Sequence, residues 1–171
     1  VVMCKTREEA EAALTEIRAF MEEAQLTLHP EKTRIASLEA GDPFEFLGYR
    51  FKPHKGRILR FPRNKSEKKL RESIRRHTRR ANGHSMECII KKINPILRGW
   101  FGYFKHSYKT AFPDVDGWVR MRLRSILRKR RKRKGRGRGS DHQRWPNKYF
   151  RDRGLFSLTT AHEELRKSPL G

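Results

Sequence analysis

Between Arg120 and Arg138, twelve of nineteen residues are Lys or Arg, and after Leu127 no aliphatic or aromatic residue appears until Trp145. Stripping water from so many like charges is costly, so this stretch is expected to lie on a surface. Its surviving apolar positions, Leu123, Ile126 and Leu127, continue Val119 at helical spacing. The run therefore begins as the outer face of an amphipathic helix and ends with no core to join. The rest of the chain leans the same way, with 42 Lys and Arg against 19 Asp and Glu, a formal net charge of +23 and a hydrophobic content of 35%. Such a composition favours modular pieces over one large core, and a surface that attracts a polyanion. Nucleic acid is the leading partner. No apolar run approaches a membrane span and no secretory pattern is present, which argues against a membrane. Cys4 and Cys88 are too few and too far apart for a disulfide framework or a zinc site, so a reducing, cytoplasmic compartment is expected.

The charge is uneven. Residues 1–25 carry six acidic and three basic side chains, whereas everything from residue 26 onward is strongly basic. Val1-Val2-Met3-Cys4 reads as a buried strand, and Thr6 to Glu9 as a capping box opening a helix with Ala10, Ala13, Leu14, Ile17, Met21 and Ala24 on one face. Pro30 ends that region, and Thr33–Leu38 reads as a strand. Phe44, Phe46 and the Tyr49–Phe51 stretch form an aromatic-rich strand that pairs with Arg57–Phe61 across Pro53-His54-Lys55-Gly56. Residues 1–62 are thus expected to be a β-α-β-β-β piece whose first strand needs neighbours outside this chain.

From Asn64 the period turns helical. Ser66 to about Arg80 carries a thin stripe of Leu70 and Ile74 among Arg71, Arg75, Arg76, Arg79 and Arg80. A second helix places Met86, Ile89, Ile90, Ile93, Leu97, Trp100, Phe101 and Phe104 on one side, with Asn94-Pro95 either kinking or restarting it. A third begins around Asp114 to Asp116, whose charges suit a helix N-terminus. Residues 63–134 are then a three-helix bundle. Residues 135–171 read as a flexible basic linker, Lys134 to Ser140, and a partly ordered tail.

The candidate nucleic-acid contacts follow. Arg71, Arg75, Arg76, Arg79 and Arg80 form one basic face, Arg98 lies on the second helix, and Arg124, Arg128, Lys129, Arg130, Arg131, Lys132, Arg133 and Lys134 form a phosphate-binding strip. Arg outnumbers Lys here, which favours structured RNA, where guanidinium groups bind phosphate bidentately and stack on unpaired bases. Trp100, Phe101 and Phe104 continue an apolar stripe and are assigned to core rather than to base stacking. The histidines lack metal-ligand spacing.

Five strings now acquire a meaning in sequence order: Leu28-His29-Pro30-Glu31-Lys32-Thr33; Phe44-Glu45-Phe46-Leu47-Gly48-Tyr49; Leu97-Arg98-Gly99-Trp100-Phe101-Gly102-Tyr103-Phe104; Trp145-Pro146-Asn147-Lys148-Tyr149-Phe150; and Gly154-Leu155-Phe156-Ser157-Leu158. Together they resemble group II intron-encoded reverse transcriptase/maturase proteins. The first two are similar to late motifs of the polymerase palm, and the third to the maturase-specific thumb. The resemblance implies an α+β chain with a palm remnant, a helical thumb and a basic tail. It implies that Lys32 lies near the incoming nucleotide's phosphates and that Phe46, Leu47 and Gly48 form a primer grip. The implied partners are structured intron RNA and an RNA/DNA template–primer duplex, with fingers and the rest of the palm supplied from outside this chain. The family's Tyr-x-Asp-Asp turn, which holds magnesium in the polymerase, is expected just before Val1. This chain by itself is therefore expected to have no cofactor and no polymerase activity, and to act as an RNA-binding element.

Overall fold

The computed structural model describes residues 1–168 apart from Glu31, Glu39 and Arg138. The chain divides into two units, residues 1–59 and residues 60–171. In the first, α1 (Arg7–Glu23) starts at the expected capping box. The Thr6 hydroxyl accepts from the Glu9 N–H at 3.2 Å, and the Glu9 carboxylate accepts from the Lys5 N–H at 2.8 Å. No residue of α1 is buried, and Phe20 is 66% exposed.

Three strands follow: β1 (Phe44–Phe46), β2 (Tyr49–His54) and β3 (Arg57–Pro62), in the order β1-β2-β3. The β2–β3 hairpin turns at Lys55-Gly56, as the sequence predicts. The aromatic strand is a different matter, because it is two strands. Leu47 at φ 47 and Gly48 at φ 79 make a two-residue turn, so Phe44 pairs with Phe51 and their rings stack at 4.7 Å. A leucine at positive φ is uncommon and gives no turn signal in a sequence, which is why the run reads as continuous.

Two other expected strands do not form. Val1–Cys4 is exposed, and neither it nor Thr33–Leu38 joins a ladder among the described residues. A strand exists only through a hydrogen-bonded neighbour, and an apolar or β-branched run cannot supply one by itself. Local bonds shape this loop instead: Arg34 donates to the Pro43 carbonyl at 2.9 Å, and the Asp42 N–H donates to the Ser37 carbonyl at 3.0 Å.

In the second unit the three expected helices are present as α2 (Asn64–His77), α3 (Met86–Phe104) and α4 (Pro113–Arg130). Ser85 caps α3 by accepting from the Cys88 N–H at 3.1 Å, and Pro113 opens α4 where a missing N–H does no harm. Helix α3 continues through Pro95. Asn94 is not a cap: its side chain donates to the Gly154 carbonyl at 2.8 Å and accepts from the Phe156 N–H at 2.9 Å, tying the helix to the C-terminal segment.

That segment departs most from the sequence reading. It holds α5 (Ser140–Arg144), α6 (Asn147–Arg151) and α7 (Leu158–Lys167), and Trp145, Phe150 and Leu158 are buried in the same core as Leu70, Ile74, Ile89, Ile93, Leu97, Val119, Leu123 and Ile126. The linker and tail are therefore part of the helical unit. Five-residue helices are too short to show a period, and a Gly-Arg alternation resembles linker composition whatever it packs against.

His162 on α7 is also buried, with its ring centroid 4.8 Å from that of Phe112. Burial, reinforced by the nearby Arg166 charge, pushes the imidazole below its ordinary value, partly opposed by a bond to the Ser107 backbone. The unfolded chain therefore binds the extra proton more readily than the folded one. Stability is expected to be full above the ordinary histidine range near 6.5 and to fall as pH drops through the depressed folded value. Urea midpoints measured at a series of pH values check this, and His162→Phe should flatten that part of the profile.

Candidate nucleic-acid interface

The helical unit sorts its arginines into two groups. The first faces inward and holds helices together. Arg122 on α4 donates from Nε to the Thr78 hydroxyl at 2.7 Å and from Nη2 to the Thr78 carbonyl at 2.6 Å, fastening the end of α2. Burial and then the Arg75 charge lower its pKa. Arg128 donates from Nη1 to the buried Asp141 carboxylate at 2.7 Å and from Nε to the Lys134 carbonyl at 2.7 Å. Arg124, predicted to contact RNA, is 2% exposed, with Nε on the Trp145 carbonyl and Nη2 on Asn147 Oδ1, both at 2.9 Å. It cannot reach a phosphate from there. They share one stretch of α4 with the outward Lys129 and Arg130, so composition alone could not tell them apart.

The second group faces out. Arg75, Arg76, Arg79 and Arg80 are exposed on and beyond α2, Arg98 on α3, and Lys129, Arg130, Arg131, Lys132, Arg133 and Lys134 at the end of α4. Arg71 is half-buried, 3.7 Å from Glu67. The guanidinium carbons of Arg71, Arg75 and Arg122 lie 5.0, 5.5 and 5.6 Å from the centre of the Trp118 ring, an arrangement that orders three cations on one indole. Arg98 lies 4.5 Å over Phe156. The two basic segments meet at their ends, since Arg80 donates to the Arg133 carbonyl at 3.2 Å and Arg130 to the carbonyls of Asn82 and His84. They form one cationic end of the unit rather than two separate faces.

Of the aromatic residues, Trp100 and Phe101 pack with Phe112 and Phe104 packs with Trp100, in line with a core role, while Tyr103 and Tyr108 are 54% and 38% exposed. In the first unit Lys32 is exposed in a turn, its N–H donating to the His29 carbonyl at 3.1 Å. Phe46 and Leu47 are exposed at the β1–β2 turn, with Gly48 beside them half-buried. Among the described residues no group of three or more His, Cys, Asp or Glu is placed to hold a metal ion, and no helix is long and apolar enough to cross a membrane.

Sequence reasoning missed Asp116, Asn94, Asp141 and Gly137, which hold the helical unit together. Asp116 could be read only as one of two acids at a helix start, and nothing in its spacing separates the buried one from exposed Asp114.

A helical domain with arginine as internal scaffold, and with further arginine and lysine concentrated on α2 and the end of α4, is the class of protein these residues define. Residues 67–151 match the family model of the group II intron, maturase-specific domain, and the chain belongs to that family. The match runs from α2 through α6, so it includes Gly137 and Trp145 as well as the three long helices. No curated protein matches the chain.

Proposed function

We propose that this chain binds the structured RNA of a group II intron through the cationic end of its helical unit and so helps that RNA reach its splicing-competent fold. The observation that carries this reading is the coincidence of the maturase-specific match with the helices that bear the outward arginines. The splicing chemistry belongs to the RNA, and the protein's contribution is charge neutralisation and restraint of shape. In a complete reverse transcriptase the same helical unit clamps the template–primer duplex as a thumb. There Lys32 faces nucleotide phosphates and the Phe46-Leu47-Gly48 turn holds the primer end. The exposed, positive-φ turn supports that second role, because it brings backbone and an apolar tip where a nucleic-acid strand can approach closely.

Binding of a group II intron RNA and of an unrelated RNA of equal length, each titrated from 50 to 200 mM salt, tests the reading. The intron RNA is expected to bind more tightly at every salt concentration. Lys132→Gln with Lys134→Gln should make the salt dependence shallower by about 2 and weaken both RNAs alike. Equal affinity for the two RNAs would reduce the chain to a general basic RNA-binding protein. An unchanged slope would remove these lysines from the interface.

A further inference from the structure

Arg130, Arg131, Lys132, Arg133 and Arg144 line a single open depression of about 410 Å³. All five lining side chains are cations, and among the described residues none of the five forms an ion pair with a carboxylate. Asp141, beside this segment in sequence, is buried and bonded to Arg128 at 2.7 Å. Gathering five like charges around one hollow is unfavourable in water unless something anionic enters.

A solvated charge run needs no scaffolding, but this one is held at several points. Arg128 grips the Lys134 carbonyl at 2.7 Å, Arg80 grips the Arg133 carbonyl at 3.2 Å, and Arg130 is anchored on the Asn82 and His84 carbonyls. Lys132 sits at φ 57, a conformation that turns the chain back after α4 and that lysine seldom adopts. Arg131 and Arg144, thirteen residues apart in sequence, both lie 5.9 Å from the ring centre of buried Trp145. One indole thus fixes two guanidinium groups from different segments on the same hollow.

From this we infer a discrete site for two or more closely spaced phosphate groups, as presented by a sharply turned RNA backbone, rather than an undifferentiated strip. The inference rests on the RNA-binding reading for its natural occupant. The site itself is a property of the five cations and can be tested without RNA. Guanidinium groups held in place lose less freedom on binding than free ones, and their fork geometry matches phosphate oxygens.

Inorganic tripolyphosphate is the probe, titrated calorimetrically into the whole chain. One saturable site is expected. Arg131→Gln with Arg144→Gln should weaken it about tenfold or more, in line with losing two charge-assisted contacts. The charge-matched pair Arg166→Gln with Lys167→Gln should change it by less than about twofold. Those residues end α7, whose start is held at Asp116, about 21 Å along α4 from Arg130. From there His162 packs on Phe112 at the far end of α4, away from the depression.

Arg131→Lys with Arg144→Lys keeps the charge and should still lose affinity; should the Gln pair melt early, the Lys pair carries the test. Many weak sites in place of one, equal losses in the two Gln pairs, or equally tight binding of polyglutamate would overturn the site. Intron-selective binding that survives without a tripolyphosphate site would sink this inference alone. A tripolyphosphate site without intron preference would sink the splicing role alone.

Discussion

Arg124→Ala is expected to lower the stability of the helical unit by about 3–5 kcal/mol while leaving the intron affinity of the molecules that stay folded unchanged. The side chain is buried against Phe150, its guanidinium carbon 5.2 Å from the ring centre, and it is the donor for both the Trp145 carbonyl and Asn147 Oδ1. Burial, and then the Arg120 charge, lower its pKa, with Asp141 opposing, yet a guanidinium stays protonated. Truncation removes the packed stem, opens a cavity and strands two acceptors. Arg124→Met should recover the stem's share and not the polar share. Arg124→Lys should recover little, because one ammonium cannot span two acceptors in the fixed geometry of the fork. Denaturant melts give the stabilities, and RNA titrations under native conditions give the affinities. A variant that kept wild-type stability and lost RNA affinity would return Arg124 to the interface.

The same seam explains much of what the sequence conceals. A Cβ built on Gly137 would lie 2.4 Å from Arg124 Cβ and 3.2 Å from the Arg124 carbonyl carbon, and the Gly137 N–H donates to the Ser125 hydroxyl at 3.1 Å. In the string Lys134-Gly135-Arg136-Gly137-Arg138-Gly139, that glycine reads as one of three flexible-linker residues. It is in fact a packing residue, needed because backbone crosses helix α4 at a distance no side chain tolerates. Short-range patterns were legible: the Thr6 capping box, the Lys55-Gly56 hairpin, and the apolar stripes of α2, α3 and α4 all follow from period and cap chemistry. What was not legible depends on partners distant in the chain. Thr33–Leu38 has strand composition and no neighbour, whereas Arg122, Arg124 and Arg128 have the composition of a surface and acceptors waiting inside. For the candidate site, the density of cations is plain in the sequence, and Lys129 to Lys134 are exposed. Their convergence at one end was hidden, since it depends on Arg80 and Arg130 bridging segments about fifty residues apart.

Asp116→Ala is the other substitution expected to act strongly, by about 2–4 kcal/mol, because one buried carboxylate serves two helix starts. It lies in the first turn of α4, where negative charge suits the helix dipole. It also accepts from the Ser157 hydroxyl at 2.8 Å and from the Leu158 and Thr159 N–H groups, each at 3.0 Å. Ser157 in turn caps Thr160 at 3.3 Å. The opening N–H groups of α7 are thus satisfied partly from another helix, and without Asp116 two of them and a hydroxyl must find water. Asp116→Asn should cost less, since one oxygen can still accept while the charge is gone. Hydrogen exchange locates the damage: amides of residues 158–167 should lose protection while those of α3 keep it. Uniform loss across both helices would mean that α7 is not a separately docked element. The pH profile supplies an independent check. His162 owes its depressed pKa to α7 lying against Phe112, so undocking that helix returns the imidazole to solvent. In Asp116→Ala the stability loss on acidification assigned to His162 should therefore disappear, although position 162 is untouched. If that loss persists in full, the helix has stayed docked and the carboxylate is not what holds it.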